Sequence, residues 1–200
     1  MGEKTLLAVI AVLVSMVIGV GLFWQPVAPI SKPALNPLPA GGDFVLQSAT
    51  GPVALADYRG KLSLLYFGYT YCPDICPTTL STLTAGLAEL TPEERAQVSI
   101  LFISVDPQRD TLAHLQTYVQ FFDPAIRGVT GSVEEIAEIS RRYGVFYQKQ
   151  GAEMAGEGYV VDHSSDTFIV GQDGRLKARM AHGIPPEQVA ALIRQFLNQT

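Results

Sequence analysis

The chain has 200 residues, 48% hydrophobic and 16% charged, which suffices for one globular domain with its own core plus an appendage. The formal net charge is −5, so the basic footprint of a nucleic-acid-binding protein is absent. The appendage comes first: residues 5–24 carry no charge, and at ~1.5 Å per residue they are about long enough to span a ~30 Å hydrocarbon layer. A transmembrane helix is therefore expected, with residues 1–24 as an N-terminal membrane anchor. A cleaved signal peptide has a shorter apolar region of about 7–15 residues ending in small residues, whereas Trp24-Gln25-Pro26 suits a membrane-water interface. Leu38-Pro39-Ala40 leaves later processing open, and no cysteine follows the run to accept a lipid. Lys4 and the α-amino group before the run favour a cytoplasmic N-terminus, with the remainder outside. No Arg-rich amphipathic presequence precedes it, so a bacterial cytoplasmic (inner) membrane protein with a periplasmic domain is expected over an organelle precursor.

Residues 25–42 hold five prolines and two glycines and read as a semi-extended tether. The domain then spans 43–200. Residues 44–47 and 53–55 flank the turn-rich 48–52 as an N-terminal hairpin, and the continuous apolar run 62–67 suits a buried central strand. A helix is expected from Pro77, placed in its first turn, to about Leu90, with Leu80, Leu83, Leu87 and Leu90 as its apolar stripe. Residues 98–105 form a second buried strand, and Asp110 is the expected cap of a helix over 111–122. Ser132 with Glu135 forms a capping box for a helix to about Tyr143, which Gly144 stops. Residues 145–150 and 158–161 read as strand ends around a Gly-rich loop. Residues 166–170 and 175–180 flank Gln172-Asp173-Gly174 as a second hairpin, and Pro185-Pro186 opens a last helix to about Leu197. This order implies an α/β domain with a mixed central sheet and matches a thioredoxin-like fold with an N-terminal hairpin.

The only two cysteines, Cys72 and Cys76, stand four positions apart where the first buried strand gives way to the first helix. Three chemistries are open to them. A structural disulfide closing so short a loop constrains little of the unfolded chain. A redox-active dithiol draws on the lowered thiol pKa near a helix N-terminus, although Pro73-Asp74-Ile75 makes the loop wider than the usual C-x-x-C. A soft-metal site uses both thiolates, which suit Cu(I), and an added imidazole extends tolerance to Cu(II). Zinc normally takes four ligands in a closed structural site, one more than these cysteines and one histidine provide. Of the three histidines, His114 lies in a predicted amphipathic helix as a solvated face residue, and His182 precedes the last helix in a capping or surface role. His163, beside Asp162 and directly before a strand, is the candidate third ligand. The Asp162 carboxylate is a candidate partner for its ring, although adjacent residues of an extended segment point apart.

Phe67-Gly68-Tyr69-Thr70-Tyr71-Cys72-Pro73-Asp74-Ile75-Cys76-Pro77 resembles the C-x-x-x-C-P signature of the Sco/SenC family of copper-binding, membrane-anchored, thioredoxin-like proteins. Residues 103–111 (ISVDPQRDT) and Val161-Asp162-His163-Ser164 agree with it in order, so the resemblance runs from roughly Asp43 to Leu197. It implies that Cys72, Cys76 and His163 are copper ligands, that Asp106 lies near the site, and that the partner is the CuA-bearing subunit of cytochrome c oxidase or another copper protein. Family members act as copper donors to that centre, as thiol reductants of it, or both. Leu112 stands where the family often has Pro, a departure at the start of a helix and away from the site. A copper chaperone is the expected function. The alternative is a thiol-disulfide oxidoreductase using Cys72 and Cys76 as its redox pair; a peroxidase-like role has no supporting motif beyond the scaffold.

Overall fold

The computed structural model describes residues 2, 38–151 and 158–198. The apolar run 5–24 and the tether up to residue 37 lie outside the described residues, as do 152–157 of the Gly-rich loop; among the described residues no helix is long and apolar enough to cross a membrane. From Leu38 onward the chain forms one compact unit.

The N-terminal hairpin is present as β1 (Val45–Ser48) and β2 (Gly51–Ala54), paired antiparallel. A short 3₁₀ turn, Leu55–Tyr58, leads to β3 (Leu62–Gly68), in which all seven residues are buried. A largely apolar run belongs here because β3 has a strand on either side, β4 (Val98–Ser104) parallel and β8 (Thr167–Val170) antiparallel. With β5 (Arg127–Val129) and β9 (Leu176–Met180) at its edges, the five-stranded sheet runs β5-β4-β3-β8-β9. It is the expected mixed sheet of a thioredoxin-like α/β domain. Phe67, Tyr143 and Phe168 meet in the core with ring centroids 5.6–5.7 Å apart, a spacing that suits edge-to-face packing.

Helix α1 (Ile75–Ala88) begins two residues before Pro77. Pro77 remains in the first turn, where its missing N–H has no intrahelical partner to lose, and Asp74 takes the cap position with its carbonyl accepting from the Thr78 N–H. The helix buries Leu80, Leu83 and Leu87, and packs along α5 (Pro186–Leu197). Helix α2 (Pro92–Ala96) is a single short turn closed by a Thr91/Glu94 capping box.

The cap of α3 (Leu112–Phe122) differs from expectation. Thr111, not Asp110, accepts from the His114 N–H. The Asp110 carboxylate is turned inward, where it accepts from the Thr70 N–H and hydroxyl and from the Ser104 hydroxyl. Helix α4 (Val133–Tyr143) has the predicted Ser132/Glu135 capping box, and Gly144 ends it at φ 66°, in the left-handed region that glycine reaches without steric cost.

The stretches read as strand ends form a separate two-stranded sheet, β6 (Tyr147–Gln150) with β7 (Val160–His163), in which Tyr147 pairs with His163.

Candidate metal centre

The parallel register of β3 and β4 brings their C-terminal ends side by side, with Gly68 opposite Ser104 and the Val105 N–H donating to the Gly68 carbonyl at 2.8 Å. The chain leaving β3 is pinned at once, because buried Asp110 holds both the N–H and the hydroxyl of Thr70 at 3.1 and 2.6 Å. Two residues later comes Cys72, half-buried, and then Cys76 in the first turn of α1, fully buried. Both are free thiols. The Cys72 Sγ accepts the Cys76 backbone N–H at 3.4 Å, so the sulfur occupies a helix N-terminus, where an anion is stabilised.

Cys76 sits close beneath the end of β3. A Cβ on Gly68 would stand 2.7 Å from its Sγ, 3.1 Å from Phe102 and 3.2 Å from Tyr66. Only glycine lets the sulfur lie so near the backbone. From β3, the Tyr66 hydroxyl donates to the Cys76 Sγ at 3.7 Å.

His163 ends β7, 87 residues after Cys76, and its Nε2 stands 3.3 Å from the Cys76 Sγ. Its Nδ1 lies 2.8 Å from the Ser164 carbonyl oxygen. A carbonyl only accepts, so the neutral ring carries its proton on Nδ1 and turns the Nε2 lone pair toward the sulfurs. The backbone thus takes the place that Asp162 was expected to fill; Asp162 is exposed, on the opposite face of the strand from its neighbours. Tyr66 and Tyr69 set the ring plane, meeting it edge-on at 6.2 and 5.8 Å between centroids.

The donor atoms of Cys72, Cys76 and His163 all lie within 4.8 Å of one another. Donors on opposite sides of an ion with bonds of about 2.0–2.3 Å are up to about 4.6 Å apart, so this spacing fits one shared ion with little movement. The thiols divide into unlike roles. Cys72 is drawn far below the ordinary thiol range, chiefly by the hydrogen bond from the Cys76 thiol and against the cost of burial, with help from the N–H groups of Cys76 and Asp74. Burial pushes Cys76 up, and the neighbouring Cys72 adds to the shift. In the metal-free protein Cys72 is thus the thiolate and Cys76 the thiol.

Asp106 is outside the three-residue group. Its buried carboxylate is occupied by Arg109, Tyr159 and Lys149. His114 is exposed, and its ring stacks on Tyr71 at 5.4 Å. His182 is partly buried and its Nδ1 meets the Thr79 hydroxyl at 2.8 Å, so neither of these histidines joins the group. The sequence pointed to no site role for Gly68, Tyr66, Asp110 or Ser164. A glycine closing a strand pattern is a known sign of close backbone approach and points to Gly68; Tyr66 is hidden in an apolar run and leaves no such sign.

The SCO1/SenC family model matches residues 33–198 of the chain. The mitochondrial SCO2 homolog of Bos taurus is 41% identical over 158 residues, covering 78% of this chain and 59% of that protein; the chain thus spans somewhat over half the length of this relative. The SCO2-like protein RP587 of Rickettsia prowazekii is 31% identical over 195 residues, covering 92% of this chain and 95% of that protein. Among solved structures, Bradyrhizobium japonicum ScoI with copper bound superposes with a TM-score of 0.71 at 34% identity, covering 78% of this chain and 99% of that one. Together with the Cys72-Cys76-His163 group on a thioredoxin-like fold, the match places the chain in the SCO1/SenC family.

Proposed function

We propose that this protein binds one copper ion through Cys72, Cys76 and His163 and delivers it to another copper protein, with the CuA-bearing subunit of cytochrome c oxidase as the acceptor. The observation that carries this reading is the convergence of two sulfurs and one imidazole nitrogen within 4.8 Å. Two thiolates satisfy Cu(I), and the imidazole extends the set to Cu(II). The copper-bound relative with 34% identity supports the choice of metal. Copper is cargo here, and the partly exposed Cys72 and His163 give an acceptor a side from which to exchange ligands. In this reading residues 1–24 anchor the chain as a single span in a bacterial cytoplasmic membrane, 25–42 form the tether, and the domain over 43–200 works on the periplasmic side.

The unlike cysteines favour a second reading, thiol-disulfide reductase. The Cys72 thiolate would attack a target disulfide to form a mixed disulfide. Cys76, on losing its proton, would attack the Cys72 sulfur, leaving the target as a dithiol and the pair as a disulfide. The reaction uses no imidazole ligand. The full chain, reduced and held anaerobically in detergent, is titrated with copper alongside Cys72→Ser, Cys76→Ser and His163→Ala. One copper per chain, lost in the cysteine variants and weakened by His163→Ala, is the expected result. A dithiol that exchanges with disulfides and has negligible copper affinity would place the reductase reading first.

A further inference from the structure

His163 reaches the cysteines on the β6–β7 hairpin, which makes no ladder with the five-stranded sheet. A two-stranded hairpin is marginally stable by itself, so something else must hold it in place. The loop after β4 does this through Asp106, a carboxylate with no exposed surface. From β6, the Lys149 Nζ pairs with Asp106 Oδ1 at 3.3 Å and bonds the Gln108 side chain at 2.6 Å. From the residue before β7, the Tyr159 hydroxyl lies 2.7 and 2.9 Å from the two Asp106 oxygens. Arg109 closes the arrangement. Its Nε donates to Asp106, its Nη1 donates to the Tyr159 carbonyl at 2.8 Å, and its guanidinium lies 3.5 Å from the Tyr159 ring centroid and 5.6 Å from that of Tyr69. Tyr69 in turn meets the His163 ring edge-on.

We infer that Arg109, Tyr159 and Lys149, converging on the buried Asp106 carboxylate, lock the β6–β7 hairpin to the loop after β4, and that this lock sets the position of His163 and so the balance between three-donor Cu(II) and two-thiolate Cu(I) binding. A buried carboxylate is costly unless paired and hydrogen-bonded. Two of its three partners, Lys149 and Tyr159, come from the hairpin, so lifting the hairpin away would leave Asp106 with Arg109 alone. The cost of opening the hairpin therefore includes the cost of leaving that charge buried and underpaired. The cysteines hang from β3 and α1, and of the three lock residues Arg109 also reaches that side, with its guanidinium 5.6 Å from the Tyr69 ring and 4.9 Å from the Tyr71 ring. Tyr159 and Arg109 act through His163 as positioning residues, and the step from lock to copper preference rests on the proposed function above.

The test uses the full chain in detergent with Tyr159→Phe, which keeps the ring over Arg109 and removes the hydroxyl, and with Arg109→Gln and Lys149→Met. Amide hydrogen exchange of the metal-free proteins is expected to quicken about tenfold or more across β6 and β7 and to stay unchanged in β3 and β4. On metal loading, Cu(II) affinity, followed by sulfur-to-copper charge-transfer absorption, is expected to fall on the order of ten- to a hundredfold. Cu(I) affinity, followed by chelator competition, should stay within about threefold, and Lys149→Met should give the smallest shift of the three. Unchanged hairpin exchange in Tyr159→Phe and Arg109→Gln would overturn the lock. So would faster exchange throughout the central sheet, which would make these residues supports of the whole fold. A parent protein that takes up no copper would defeat the proposed function, and the exchange rates would still decide the lock.

Discussion

Cys72 and Cys76 hang from the end of β3, a strand buried at every position, whereas His163 ends β7, one of two strands in a sheet apart from the central five. The first region draws its geometry from the core. Asp110 pins Thr70, Gly68 admits the Cys76 sulfur, and the first turn of α1 offers an N–H to Cys72. Moving the cysteines apart would mean disturbing the middle of the fold. The second region depends on a few polar links, the buried Val161 and the partly buried Tyr147 and Tyr159, so its opening free energy is local and smaller than that of global unfolding. The cysteine pair is thus positioned by the core of the fold, while the imidazole is delivered by a hairpin outside the central sheet.

The comparison breaks most sharply at the sulfurs. Cys72→Ser and Cys76→Ser are each expected to abolish copper retention through gel filtration; retention by either would remove that sulfur from the centre. Gly68→Ala comes next. Its Cβ would meet the Cys76 Sγ at 2.7 Å, and overpacking of this kind costs about 1–3 kcal/mol. Urea unfolding should show that loss together with weaker copper binding, and a neutral result would mean that β3 does not fix Cys76. For the hairpin, His163→Ala should lower Cu(II) affinity by about a hundredfold and Cu(I) affinity far less, with the urea midpoint unchanged; equal losses for both ions would erase the distinction between the regions.

Protonation gives two smaller effects. Copper binding needs both sulfurs as thiolates, Cys72 is already one, and Cys76 must lose a proton that burial holds in place. The apparent affinity should therefore rise about tenfold per pH unit through neutrality, one proton leaving per copper; a flat profile would contradict the division of roles. In the core, burial pushes Tyr143 up to about 12. Below about pH 10 the folded and unfolded chains both keep this proton. As the pH rises above that, the unfolded chain ionises first, so stability should fall by about 1.4 kcal/mol per unit until the folded group also ionises. Denaturant midpoints from pH 9 to 12 in the parent and in Tyr143→Phe measure the difference; the same fall in both would assign it to other groups.

The β3–α1 turn is legible in the sequence because its signals are local: an apolar run, two cysteines at fixed spacing, and a proline suited to the first helical turn. The sheet and most helices follow for the same reason, as with the Ser132/Glu135 box and Gly144. Legibility ends where a side chain has a distant competitor for its local role. Asp110 satisfies the rule for a helix cap, but Thr111 beside it does so equally well, which frees Asp110 to hold Thr70. Asp162 is next to His163 in sequence but faces away in an extended strand, and the Ser164 carbonyl does the orienting. The position of β7 against the cysteines rests on Tyr159 meeting Asp106 and Arg109, 53 and 50 residues earlier in the chain, a link that no period or spacing announces.

In the proposed site, two cysteines and one histidine share a single copper ion. Copper K-edge X-ray absorption on the Cu(II)-loaded protein tests it most directly. Two sulfur scatterers and one imidazole are predicted, with the imidazole lost in His163→Ala; a single sulfur, or an imidazole signal that survives in His163→Ala, would contradict the account.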